Sequence, residues 1–195
     1  NVPMGLFGGA IATAAFPSLI RAAKSPDKSK LPSAIVRNVG LITFLTVPAA
    51  VIAVLMRGYI VRLLFGFGDQ ITADALGWLS GAIIAQSIFF LIARVFYALE
   101  DTKTPLFTSL TSIVINIVLS FLLSAMFGVS GLAMALSLTA CFELIILTFA
   151  LRRKIGQFGL KSIVIQGLKV GLASTIMGVV MYGLIARVLP LLRGD

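Results

Sequence analysis

The chain has 195 residues, 59% apolar and only 12% charged, with 16 Lys or Arg against 7 Asp or Glu, no His and one Cys. Soluble domains carry about 45–50% apolar and about 25% charged residues, so a water-soluble globule, a disordered chain and a disulfide scaffold are excluded, and with them every mechanism that needs histidine. A mean hydropathy of +1.08 points to an all-α polytopic membrane protein.

The sequence opens at Asn1 and runs directly into apolar residues, with no charged region or cleavage site ahead of them. That is not a secretion signal. It reads as an internal stretch of a longer protein or as a truncated gene product. A bilayer-crossing helix needs about 20 mostly apolar residues. Read between charge clusters, the chain is one transmembrane region of six spans: 4–20, 36–56 (with a short extension to Phe65), 75–99, 105–127, 131–151 and 162–189. No soluble domain fits beside them. The runs are too long and too continuous for alternating barrel strands.

The first span carries Gly5, Gly8 and Gly9 on adjacent turns, a pattern that favours close helix packing. Arg21–Ser33 follows as a polar, topology-setting loop. Pro48, inside the second span, removes a backbone hydrogen bond and is a candidate kink and flex point. The stretch from Arg57 to Gly68 reads as an interfacial amphipathic helix, with Tyr59 and Trp78 at membrane-belt positions. Thr104 before Pro105 reads as a hydroxyl N-cap followed by a proline at the first helical position.

Alternate loops divide the basic residues unequally. Arg21, Lys24, Lys28, Lys30, Arg37, Arg94, Lys103, Arg152, Arg153, Lys154, Lys161 and Lys169 fall on one side, and Arg57, Arg62, Arg187 and Arg193 on the other. Lys and Arg accumulate in cytoplasmic loops, so the first side is expected in the cytoplasm. The charges are scattered over loops rather than gathered in one patch, which argues against a nucleic-acid partner and suits contact with membrane lipid.

No GK[ST] follows the glycines of GLFGG (Gly5–Gly9), and no carboxylates or cysteines show metal-ligand spacing. No catalytic residue, metal or cofactor is expected; the composition suits a transporter. The polar residues inside the spans then carry the information. Glu143 near mid-span is either a cavity group that holds a cation or contacts a substrate headgroup, or a protonated carboxyl bonded to a neighbouring helix. Arg94, about a turn from its span's end, either snorkels to the headgroups or faces inward to hold a phosphate. Asn116 and Gln86 are candidate cavity residues too, or amides that make interhelical hydrogen bonds.

ARVFYALEDTKTP (Ala93–Pro105) resembles a signature of the MurJ/MviN lipid II flippase family. MGLFGGAIATAAFPSL (Met4–Leu19), VPAAVIAVLMRGYIVRLLFGFGDQITADA (Val47–Ala75) and GVSGLAMALSLTACFELIIL (Gly128–Leu147) resemble its other conserved stretches, in the same order. The resemblance marks Phe96, Tyr97, Asp101, Thr104 and Pro105 as family-motif residues. It implies a two-lobed transporter around a cationic cavity, in the bacterial cytoplasmic membrane. Its substrate would be lipid II or a related lipid-linked pyrophosphate. This chain would then hold most of the second lobe, and its partner would be the N-terminal lobe of the same protein. Glu143 stands where the family often has Asn, and Phe90, one turn before Arg94, where it often has Lys. Another lipid-linked oligosaccharide flippase or a cation-coupled exporter of the same superfamily is the alternative, and a truncated, non-transporting membrane scaffold is a third reading.

Overall fold

The structure is a computed structural model, which describes residues 8–27, 29–66, 69–156 and 158–193. The beginning of the first expected span, with Gly5, lies outside the described residues, as do Lys28, Phe67 and Gly68 in the loops and the side chains of Arg187 and Arg193. Seven helices follow one another: α1 (Ala10–Ala23), α2 (Lys30–Leu55), α3 (Arg57–Phe65), α4 (Gln70–Ala98), α5 (Lys103–Phe127), α6 (Val129–Ile155) and α7 (Leu160–Arg193). No strand occurs among the described residues. By length and composition α2, α4, α5, α6 and Lys161–Gly183 of α7 can each cross a membrane.

α4 is the hub and packs against α1, α2, α3 and α6. α5 rests chiefly on α6, and α7 on α2. The core gathers where α1, the first half of α2 and the last halves of α4 and α6 meet. Leu19, Ile35, Ile42, Leu91, Val95, Phe96, Leu147 and Leu151 are almost completely buried there, and Phe158 closes the end of the cluster. Gly8 brings α1 onto α4, because a Cβ added at Gly8 would lie 2.6 Å from Ser87 Oγ. Gly9, by contrast, faces open space. The outer faces of α5 (Phe107, Val114, Phe121) and α7 (Leu168, Leu172, Ile176) are apolar and exposed, as a hydrocarbon-facing surface requires.

The connections are tighter than charge clusters suggest. The expected Arg21–Ser33 loop contracts to the few residues between Ala23 and Lys30. Long basic side chains can stay on a helix end while their charge reaches water. α2 runs unbroken through Pro48. Proline has no N–H to give the carbonyl of Phe44, but the helix itself ends later, at Met56. The separate helix expected after it is α3, closed by Gly66 at φ +76°. Asp69 then caps α4, accepting from the N–H groups of Ile71 (3.2 Å) and Thr72 (3.1 Å).

The expected Thr104 cap is corrected. α5 starts at Lys103, so Thr104 and Pro105 lie inside its first turn. Asp101 supplies the cap instead, accepting from Thr104 N–H at 3.0 Å and from Thr104 Oγ1 at 2.8 Å. A carboxylate offers two acceptor oxygens and a negative charge to the positive helix end, which one hydroxyl cannot match.

Gly128 alone joins α5 to α6, at φ +59° and ψ −135°, a region closed to residues with a Cβ. Gly131 then lets the two helices touch: a Cβ there would run into the Leu123 carbonyl and come within 2.9 Å of Ser124 N. Backbone cannot step aside as a side chain can. Gly131→Ala is therefore expected to destabilise the protein by about 1–3 kcal/mol, the usual cost of overpacking. Gly171→Ala, whose new methyl meets open space, should not. Thermal unfolding of both variants in detergent checks this, and equal midpoints would refute the close approach.

Candidate functional site

Three polar residues singled out in the sequence converge from three helices. Gln86 of α4, Asn116 of α5 and Glu143 of α6 line one cavity of about 280 Å³, together with Ser109, Ser112 and Thr139. Each of the three lies close to the middle of its helix, so the cavity sits at mid-membrane depth. Glu143 is 8% exposed and accepts a hydrogen bond from Ser109 Oγ at 2.8 Å. Asn116 Nδ2 donates to Thr139 Oγ1 at 3.3 Å. The interhelical bond expected of Asn116 is thus made, whereas Gln86 makes none among the described residues. Ser112 Oγ is buried there without a partner among the described residues.

Ser109, Ser112, Asn116, Ser120 and Ser124 recur every three or four residues, which places them on one face of α5. A second cavity, of about 290 Å³, continues the first along that face, with Asn116 and Ile117 common to both. The stripe from Ser109 to Ser124 is about 22 Å long at 1.5 Å per residue. Between the apolar side chains of Ile113, Ile117, Leu132 and Leu136, the hydroxyls, amides and one carboxylate of this groove present hard oxygen atoms, which suit a proton or a small cation. Ser109, Ser112 and Thr139 were not apparent from the sequence, though the spacing of the α5 serines was a signal. Among the described residues no three His, Cys, Asp or Glu gather as a metal cluster would.

Arg94 does not join this groove. Its guanidinium lies over the Phe16 ring of α1, 5.6 Å from the centroid, and Nη2 is 3.4 Å from Thr13 Oγ1. It binds α1 to α4 by a cation–π contact and a long hydrogen bond.

The Ala93–Pro105 motif forms the corner between α4 and α5. Phe96 is buried in the core and Tyr97 is half-exposed. Glu100 turns the chain at φ +61°, and Asp101 N–H donates to Phe96 O at 2.9 Å. Besides capping α5, Asp101 accepts from Lys154 Nζ of α6 at 2.5 Å, and Lys154 lies over the Phe96 ring. The corner therefore holds α4, α5 and α6 together. Lys154 is the member of this group that sequence reading left among the loop charges.

The profile of the family described as "Lipid II flippase MurJ" matches residues 1–193. The chain belongs to this family. A probable lipid II flippase MurJ of Thermotoga maritima is 28% identical over 187 residues, covering 93% of this chain and 37% of that protein. One from Haemophilus influenzae is 32% identical over 193 residues, covering 92% and 38%. A solved lipid II flippase MurJ in its inward closed conformation superposes with a TM-score of 0.77 at 24% identity, over 93% of this chain and 38% of that one. The chain thus spans a little over a third of these relatives. Family membership and five membrane-length helices make it part of a multi-pass membrane protein of the MurJ family, a family of transporters rather than enzymes.

The corner predicts an acid response. The Lys154 ammonium, and then the Thr104 N–H, hold the Asp101 carboxyl down at about 2, against an ordinary 3.8. A carboxyl depressed by folding stabilises the fold fully above its unfolded value, and that contribution is lost as pH falls from about 3.8 toward about 2. Asp101→Asn should lower the thermal midpoint at pH 7 and flatten its fall between pH 4 and pH 2. An identical acid slope in wild type and variant would exclude the clamp.

Proposed function

We propose that this chain is the larger part of the second lobe of a lipid II flippase. The whole protein would carry the undecaprenyl-pyrophosphate-linked peptidoglycan precursor from the inner to the outer leaflet of the bacterial cytoplasmic membrane by alternating access. The observation that carries the reading is the family match over residues 1–193. The fold agrees with it, since five of the described helices are long and apolar enough to cross a membrane.

The chemistry asks for two things. The pyrophosphate head needs a hydrated, cationic cavity, and the polyprenyl tail needs a lateral exit into lipid. In this reading the N-terminal lobe completes that cavity. The present chain contributes the Glu143 groove, which loads and releases a proton or small cation as the lobes rock, so that the ion gradient drives the cycle. An isolated carboxylate at mid-membrane costs about 2.5–3.5 kcal/mol on insertion scales. Ser109 and a cation or proton offset that cost in one state, and release of the ion raises it in another. Pro48, where α2 lacks a backbone bond, is the flex point of the lobe. The loops rich in Lys and Arg face the cytoplasm.

Cells depleted of their own lipid II flippase should be rescued by the full-length gene, and Glu143→Gln should lower transport by about 10- to 100-fold, as expected for losing a charged hydrogen-bonded group. Failure of rescue despite good membrane expression would sink the lipid II assignment in favour of another lipid-linked oligosaccharide or a non-transporting scaffold. Rescue by Glu143→Gln at wild-type level would leave the carboxyl a packing group.

Orientation is tested separately. A cysteine at Lys24, in the α1–α2 turn, should react with an impermeant maleimide only after the cells are opened. Labelling of intact cells would invert the topology.

A further inference from the structure

A different cavity, of about 400 Å³, opens where α2 ends, α3 lies and α4 begins, with α7 alongside. It shares no lining residue with the Glu143 groove. Its size is within the range of about 300–1,000 Å³ for small-molecule sites. Arg57, Arg62, Asp69, Gln70, Tyr59 and Tyr182 supply its polar lining. It lies at helix ends, hence at headgroup depth. Leu63 and Leu64 beside it on α3 are 86% and 71% exposed, an apolar surface against which acyl chains can lie.

The cavity carries both signs of charge, held apart. The ion pairs among the described residues are Lys24–Glu100, Arg57–Asp74 and Lys154–Asp101. Arg62 and Asp69 line the same space without pairing with each other. Arg57 spends one nitrogen on Asp74 at 3.2 Å, and its guanidinium lies 2.9 Å from where a Gly77 Cβ would stand. Gly77 thus leaves room for a fork that keeps further N–H donors. Asp69 accepts from Ile71 N–H, Thr72 N–H and Thr72 Oγ1. A carboxylate has about four acceptor positions, so one remains. The Thr72 bonds also hold its carboxyl below the ordinary value, which keeps it charged.

We propose that this cavity binds the zwitterionic headgroup of a phosphatidylethanolamine-type lipid, with the phosphate on Arg62 and the free N–H groups of Arg57 and the ammonium on Asp69. Guanidinium groups match a phosphate with paired donors. The primary ammonium fits the remaining acceptor of Asp69 and the faces of Tyr59 and Tyr182. An anionic glycerol headgroup would set its phosphate beside Asp69 with no cation to compensate. A choline headgroup has no N–H to donate. The proposal rests on the membrane fold alone and stands apart from the lipid II reading.

The full-length protein is reconstituted in phosphatidylcholine bilayers containing equal amounts of phosphatidylethanolamine and phosphatidylglycerol. It is then extracted in mild detergent, and the co-purifying lipid is quantified by mass spectrometry. Phosphatidylethanolamine is expected several-fold above its share of the bilayer. Arg62→Gln and Asp69→Asn should each remove the enrichment. Arg62 is exposed, so Arg62→Gln should match the wild-type thermal midpoint in phosphatidylcholine alone, whereas Asp69→Asn keeps only one of the two cap oxygens and is read only where its midpoint stays there. If either falls below it, Tyr182→Leu takes its place, with the same loss expected. Retention in proportion to the bilayer overturns the proposal. So does enrichment of phosphatidylglycerol that survives Asp69→Asn, which would mark a plain anion site, and so does phosphatidylethanolamine enrichment unchanged in the variants.

Discussion

Inside a hydrocarbon layer no water is available to satisfy a stray hydrogen-bonding group, and the rest of this molecule follows from that constraint. It makes the backbone helical throughout the spans. It also governs the side chains. Thr43, Thr46, Ser80, Thr108, Thr139 and Ser174 each return their hydroxyl to the carbonyl four residues back. A hydroxyl satisfied in this way has its one hydrogen committed within its own helix, although its oxygen can still accept, as that of Thr139 does from Asn116. Three side-chain contacts across α4, α5 and α6 define a place: Ser109 on Glu143, Asn116 on Thr139 and Ser137 on the carbonyl of Trp78.

Those contacts cluster around one part of the bundle, between α4, α5 and α6. The apolar core lies elsewhere, packed by α1, α2 and the later halves of α4 and α6. α4 belongs to both regions, with Phe96 in the core and Gln86 at the groove. A closely packed apolar half therefore lies beside a polar, partly open one. Arg94 and the Asp101–Lys154 corner serve the closely packed half: both bind helices to one another rather than lining the groove.

Much of this was legible in the sequence, for a physical reason. Twenty-residue apolar runs can do little except form spans, and a carboxylate in mid-run must find a special setting. The runs containing Gln86, Asn116 and Glu143 correspond to α4, α5 and α6, each residue near the middle of its helix. Their meeting was not legible, since it depends on the rotation of α4, α5 and α6 about their axes. Arg94 shows the same limit: its distance from the helix end was plain, but its ring partner Phe16 lies on α1. Boundaries suffered from reading charge as loop. Lys30 and Lys154 are helical because their stems lie along the helix while their ammonium groups reach water or a carboxylate. The cap at Asp69 was not foreseen, and at the start of α5 the carboxylate of Asp101 does the work expected of the Thr104 hydroxyl.

The one-residue turn at Gly128 has a consequence for how the protein is made. A helical pair joined by a single residue offers no hydrophilic segment to be threaded across the bilayer between its two arms. A one-residue connection favours entry of α5 and α6 as a closed hairpin. Glu143 and Ser109 are on opposite arms of that hairpin. The carboxylate, the most difficult side chain of α6 to transfer from water, thus travels with its hydrogen-bond partner already beside it. The pair thus covers part of its own polar interior whether or not α4 has yet packed against α6.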